Sequence, residues 1–216
     1  MRILVCTIAV LILAGAGVIT YQQQRVREAQ ATLATLQPGP IDTGFAQSMS
    51  LHHYQAIGMA QLMLDGRPTG LGALARAIST AQLVELGEMR GWLRLWNKPV
   101  MTAKPVMDWM LLGSVPPDAE LSSYLLDCRR SPTGMTGLAT DAEMNRLRTL
   151  EGRDRDRHFL TLMLAHHQGG VPMARFAMEQ AQLPTVRELA GRVVLDQSRE
   201  IVHIQQMLGV LASMGQ

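Results

Sequence analysis

Two stretches of the chain repeat one spacing of Asp, Phe, Met and paired His. The first runs Asp42-x-x-Phe45-x-x-x-Met49-x-x-His52-His53, with Met59-Ala60 beyond it. The second runs Asp156-x-x-Phe159-x-x-x-Met163-x-x-His166-His167, with Met173-Ala174 beyond it. Every matched pair lies 114 positions apart, without a gap. A chain that repeats itself this way is expected to fold as two copies of one unit. Because the repeated residues include imidazoles and thioethers, a site is duplicated along with the fold.

The repeat continues past the histidines. Leu74-Ala75 with Ile78, Gln82 and Glu85 matches Leu189-Ala190 with Val193, Gln197 and Glu200, now at an offset of 115. One residue has been gained in the intervening turn. Each copy therefore reads as two helical segments joined by a break, at Asp65-Gly66-Arg67-Pro68-Thr69-Gly70 in one and Gln182-Leu183-Pro184-Thr185 in the other. Pro and Gly do not continue a helix cheaply. Thr185 with Glu188 has the spacing of a capping box for the last helix. Good helix formers dominate and β-branched runs are few outside the N-terminus, which predicts an all-α protein.

Residues 42–214 form the duplicated domain, with repeat one over 42–97, a connector over 98–155 and repeat two over 156–214. The connector holds Met101, Met107, Trp109 and Met110, then Pro116-Pro117. It predicts a short helix after Asp118, a loop at Gly134-Met135-Thr136-Gly137, and a second short helix capped by Thr140 and Glu143 that ends near Gly152. Such a connector is long enough to run the length of a helical bundle.

The N-terminus is of a different kind. Arg2 precedes an uncharged apolar run, Ile3–Thr20, between a signal-peptide core and a short membrane span in length. Residues 1–24 read as a signal anchor or a signal peptide, and 25–41 as a stalk ending in Gln37-Pro38-Gly39-Pro40. The domain is then membrane-anchored and faces outside the cytoplasm, or is secreted if the segment is cleaved. Cys6 falls in this segment and Cys128 in the domain, so no intrachain disulfide is expected. The charge of +2 is mixed along the chain, with no basic stripe, which excludes nucleic acid as a partner.

Projected at about 100° per residue from Met49, His52 falls near −60° and His53 near +40°, among Phe45, Ala56, Ala60 and Met63. The histidines thus straddle the apolar stripe. Helix three repeats this with Phe159, Met163, His166 and His167. The partner helices each place a Gln and a Glu in the core-facing stripe: Gln82 and Glu85, then Gln197 and Glu200. A buried carboxylate needs a partner or a metal, and the histidines of its own hairpin are the nearest candidates. Pro172 falls about one turn after His166-His167 and matches Gly58 of the first copy, so a kink is expected there.

The pattern Phe-x-x-x-Met-x-x-His-His-x-x-x-x-x-Met-Ala, followed by Leu-Ala and Gln-x-x-Glu, resembles the domain of unknown function 305 family. Gly134-Met135-Thr136-Gly137-Leu138 and the run from Phe159 to Met163 are similar to it too, so the resemblance covers about 42–97 and 134–210. It implies a ferritin-like four-helix bundle of two hairpins, exported or membrane-anchored, with copper binding and copper tolerance associated with some members. It implies Met49, His52, His53 and Met59 as one site and Met163, His166, His167 and Met173 as its copy. Copy one has Tyr54-Gln55-Ala56 and copy two Gln168-Gly169-Gly170 where the family often carries an acidic or small residue, so no ligand is assigned there.

Imidazole with thioether suits copper, and 15 Met stand in the chain. Glu85 and Glu200 would orient the second imidazole nitrogens or complete the sites. Three readings follow. The first is copper binding for storage, delivery or tolerance, in one shared site or two. The second is a ferritin-like di-iron or di-manganese oxidoreductase, for which Glu200-x-x-His203 has the spacing but the matching residue in copy one is Glu88. The third is a metal-free structural protein whose His–Glu pairs fix helix register and whose surface meets another envelope protein. Met at helical spacing is also ordinary core filling. No nucleophile–base pair or phosphate loop stands out, so no enzyme activity is assigned.

Overall fold

The structure, a computed structural model, describes residues 2–101 and 107–213; the side chains of residues 2–14, 31, 34 and 35 lie outside the description, and the expectation for Cys6 falls there. Among the described residues the chain is all-helical: α1 (Arg2–Thr35), α2 (Pro40–Leu62), α3 (Gly72–Leu95), α4 (Ala119–Arg130), α5 (Asp141–Thr149), α6 (Gly152–Gln180) and α7 (Pro184–Ser213), with a 3-10 turn at Asp108–Leu111. The chain divides into two units, Met1–Gln37 and Pro38–Gln216. The first is α1, whose Val18, Ile19, Tyr21 and Val26 are exposed. Among the described residues no helix is long and apolar enough to cross a membrane. Most of the apolar run Ile3–Thr20 has its side chains outside the description.

In the second unit α2 packs along α3, α6 along α7, and α2 against α6. Two apolar clusters fill it. One joins Phe45 and Met49 of α2 to Met89 and Leu93 of α3, Met173 and Ala177 of α6, and Val186 and Val193 of α7. The other joins Met59 and Met63 to Ile78, Phe159, Met163 and Ile204. The stretch of each helix between its two clusters carries buried polar residues instead. α6 runs unbroken through Pro172. Tyr124 of α4 donates a hydrogen bond to the Gly169 carbonyl at 2.9 Å, one turn before that proline.

The Asp that opens each motif ties its helix to the other copy. Asp42 is fully buried, and its carboxylate accepts from the backbone N–H of Leu183 at 2.9 Å and Gln182 at 3.3 Å. The same carboxylate accepts from Gly39 N–H at 2.7 Å, closing the start of α2, where Pro40 occupies the first turn. Asp156 in turn accepts from the Thr69 hydroxyl at 2.6 Å and Gly70 N–H at 3.4 Å. Each hairpin's turn is therefore pinned by the opposite hairpin. This corrects the cap expected from Thr185: α7 begins at Pro184, which has no N–H to satisfy, and Asp42 takes the N–H groups just before it. Arg155, buried beside Asp156, donates to the Leu62 carbonyl and to Asp65 at 3.0 Å, tying down the end of α2.

The connector packs onto the hairpins at glycines. Trp109 donates to Ser48 Oγ at 3.0 Å and meets Phe45 and Phe176 edge-on, at ring separations of 6.4 and 5.7 Å. A Cβ on Gly44 would lie 2.3 Å from that indole. Farther on, the backbone of Thr136 and Gly137 lies directly on α6, so that a Cβ on Gly169 would meet the Thr136 carbonyl oxygen at 2.2 Å. Gly137 itself has φ +82°, a conformation an L side chain rarely takes. At the matching place on α2, Gln55 holds Ala139 by both its N–H (2.6 Å) and its carbonyl (2.8 Å). Asp118 and Thr140 cap α4 and α5 as expected, while α5 ends earlier, at Thr149.

Asp42→Ala strips three backbone N–H groups of their acceptor and should cost ~3 kcal/mol in chemical denaturation, against about 1 for the half-exposed Asp156→Ala. Gly169→Ala should destabilise by more than ~2 kcal/mol, because backbone rather than a flexible side chain blocks the methyl. Gly58→Ala, whose Cβ meets nothing within 4 Å, should instead stabilise by ~0.5–1 kcal/mol through helix propensity.

Candidate metal centre

Midway along the helices the apolar core gives way to a layer of eight polar side chains, two from each helix. They are His52 and His53 from α2, Gln82 and Glu85 from α3, His166 and His167 from α6, and Gln197 and Glu200 from α7. All four histidines are fully buried, and both glutamines are 3% exposed. Helical periodicity produces this directly, since these positions share the stripe that carries the clusters above and below.

Two members of each hairpin pair with each other. His53 Nε2 lies 2.6 Å from Glu85, and His167 Nε2 bonds Glu200 in the same way. A carboxylate only accepts, so each imidazole donates its Nε2–H and keeps its lone pair on Nδ1. The remaining two histidines meet across the hairpins. The rings of His52 and His166 stand 3.6 Å apart, tilted by 36°. His166 Nε2–H donates to the His52 carbonyl at 2.8 Å, which again leaves Nδ1 with the lone pair. Although the His166 backbone reaches the His52 ring, neither ring nitrogen of His52 has a well-formed protein hydrogen bond. Nor do Nδ1 of the other three histidines or either amide atom of Gln82 and Gln197.

Burial, reinforced by the neighbouring imidazoles, holds His52 and His166 well below the usual histidine range. Both are neutral at physiological pH, the form that ligates metal. Room at the centre depends on Gly170: its Cβ would come within 2.7 Å of Gln197 Oε1 and 2.8 Å of His52 Cε1. The matching residue of α2 is Ala56. Among the described residues no three His, Cys, Asp or Glu side chains converge on one ion position as they stand. The donor set nevertheless fits a metal that takes imidazole, because Nδ1 of all four buried histidines lacks a protein hydrogen-bond partner.

The methionines are distributed differently from the motif. Met49 and Met59 belong to the two opposite apolar clusters, about 15 Å apart along α2. Met49 shares its cluster with Met173, and Met59 shares its cluster with Met163. Each cluster thus draws one motif thioether from each copy. Gln82 and Gln197 are layer members that the motif alone did not single out as site residues; their place in the stripe between His-facing positions was the available signal. Cys128 is buried in the connector, near Thr136 Oγ1 at 3.7 Å.

The relatives follow the same course. A DUF305 protein from Streptomyces coelicolor, described as a candidate secreted protein, is similar at 34% identity and a TM-score of 0.67, over 80% of this chain and 94% of its own. A DUF305 fragment from Deinococcus radiodurans is similar at 29% identity and a TM-score of 0.60, over 80% and 98%. CopM in its Cu(I)-bound form is similar at 27% identity and a TM-score of 0.52, over 77% and 94%; CopM also has Cu(II)- and Ag-bound forms. No curated protein matches the chain. The family profile described as "Domain of unknown function (DUF305)" matches residues 42–208, from the Asp that pins the first helix to the last turns of α7, and the chain belongs to that family.

Proposed function

We propose that this chain is an extracytoplasmic copper-binding protein, a ferritin-like four-helix bundle that holds copper at the polar layer between its two hairpins. The observation that carries this reading is the set of four buried imidazoles whose Nδ1 atoms have no protein hydrogen-bond partner. His52, His53, His166 and His167 would hold the ion. Glu85 and Glu200 would fix the tautomer of His53 and His167, as acidic partners of ligating histidines commonly do. CopM, a relative with copper- and silver-bound forms, supports the choice of metal. Met49, Met173, Met59 and Met163 flank the layer from its two sides as soft donors or as core. A di-iron or di-manganese centre is disfavoured because α2 and α6 offer imidazole where such a centre needs carboxylate, and Glu85 and Glu200 already bond histidines. The N-terminal segment would export the protein, as an anchor or a cleaved signal.

Stacking of His52 on His166 favours one shared site over two independent copies. Either double variant, His52→Ala/His53→Ala or His166→Ala/His167→Ala, should then lose all tight copper in a titration of the full chain with Cu(I) and Cu(II). A loss of half from each would establish two sites, and retention of all copper by both would leave the histidines structural.

A cleaner separation uses His52→Leu. This change removes no well-formed hydrogen bond, only the approach of the His166 backbone, and replaces a poorly satisfied buried polar ring with an apolar side chain. Metal-free protein should gain ~1–3 kcal/mol, because a buried unsatisfied group is costly, while copper binding is lost. The thermal midpoint should rise by ~2–4 °C for each kcal/mol.

The metal-free wild type should also weaken in acid. His52 and His166 have depressed folded-state values, so between those and the ordinary value of 6.5 the unfolded chain binds more protons. Stability is therefore full above about pH 6.5 and falls as pH drops below it, by up to roughly 1.4 kcal/mol per pH unit for each histidine. Urea midpoints at pH 7.5 and 5.5 check this; equal midpoints would contradict it.

A further inference from the structure

The two copies differ at the rim of the layer, and the difference bears on how an ion reaches it. This inference rests on the copper reading above. The four histidines are sealed, so access must pass the members that touch solvent. Those are the glutamates: the Glu85 side chain is 12% exposed and that of Glu200 is 25% exposed. One turn beyond Glu85 on α3 stands Glu88, which Arg192 of α7 grips through both carboxylate oxygens at 2.8 and 2.9 Å. Arg192 also reaches Glu188 at 3.7 Å. That ion pair bolts α3 to α7 beside Glu85, and it sets a cation where a metal ion would have to pass.

The 115-residue offset puts the counterparts of this bolt at the other rim, where Glu88 is matched by His203 and Arg192 by Ala77. Both His203 and Ala77 are exposed, and no ion pair can form between them. His203 lies one turn beyond Glu200 on α7, a spacing at which side chains are neighbours. The more open glutamate therefore has an exposed imidazole beside it, where the closed one has a clamped carboxylate and a guanidinium. Beyond Glu200 the chain of donors continues inward through its bond to His167, whose ring lies 5.9 Å from that of His166, and on to His52, which has no well-formed hydrogen bond on either nitrogen.

We propose that copper enters on the Glu200 side alone, with His203 and Glu200 as a transfer site that takes the ion first and passes it to His167. His203 supplies a nitrogen donor outside the sealed core, and Glu200 supplies the negative charge that draws the cation in. On transfer, Glu200 exchanges the ion for its bond to His167, so no proton need leave the layer. The other rim stays closed by Arg192.

Stopped-flow transfer of Cu(I) from its bicinchoninate complex to the full chain reads this directly. His203→Ala is an exposed change outside the layer. It should slow uptake about tenfold, the low end of what losing one residue that supports a metal site costs, and leave the final copper content unchanged. Arg192→Ala should not slow uptake. Equal rates for wild type and His203→Ala would overturn the route while leaving the copper reading intact. A reduced copper content in His203→Ala would make His203 a resident ligand and overturn the route as well. A wild type that takes up no copper would overturn the copper reading itself, a result that the first two outcomes cannot produce.

Discussion

The structure turns on a polar layer placed where an apolar core would be expected. Histidines from α2 and α6 and Gln–Glu pairs from α3 and α7 interrupt the core at one level and split it into two clusters. Burying so many polar atoms is costly, and part of that cost is met inside the layer by the His53–Glu85 and His167–Glu200 bonds. The rest falls on both ring nitrogens of His52, Nδ1 of the other three histidines and the two glutamine amides. A fold that buries such groups without protein partners is less stable than one filled with leucine, and an ion that ligated them would recover the difference. Binding at this layer would thereby be coupled to folding.

Much of the remaining structure holds the two hairpins in register so that the layer stays closed. Asp42 and Asp156 each reach across to the other hairpin's turn, and Arg155 adds a second tie at the end of α2. The connector crosses both central helices near the histidines, against Gly169 on α6 and held by Gln55 on α2. Trp109 fills the space left by Gly44 at the far end. A slip of one helix relative to its neighbour would break several of these contacts at once, together with the stacking of His52 on His166.

The duplication sets up a symmetric site, and the departures from it carry the functional interest. Gly170 opens the centre beside His52, whereas its counterpart Ala56 packs into the cluster that holds Met59 and Met163. Glu88 and Arg192 lock one rim, while His203 and Ala77 leave the other unlocked. A duplicated chain can keep its ligands in both copies and still differentiate the approach to them, because rim residues carry little of the packing.

Sequence alone determined that the chain is helical, where its hairpins break, and which face of each helix carries His, Gln and Glu. Those features are local: helix propensity, Pro and Gly at turns, and the 3.6-residue period act within a few residues. That Glu85 would find a histidine of its own hairpin followed too, while the choice of His53 came from the packing. What only the tertiary structure decided is everything that depends on how α2 meets α6. No local rule says that His52 will stack on His166, that Met49 will join Met173 rather than Met59, or that Asp42 will cap the turn before α7 in place of Thr185. Contacts between residues more than a hundred positions apart are fixed by the packing of whole helices, so one motif written twice leaves one site or two open in the sequence and becomes one layer in the fold.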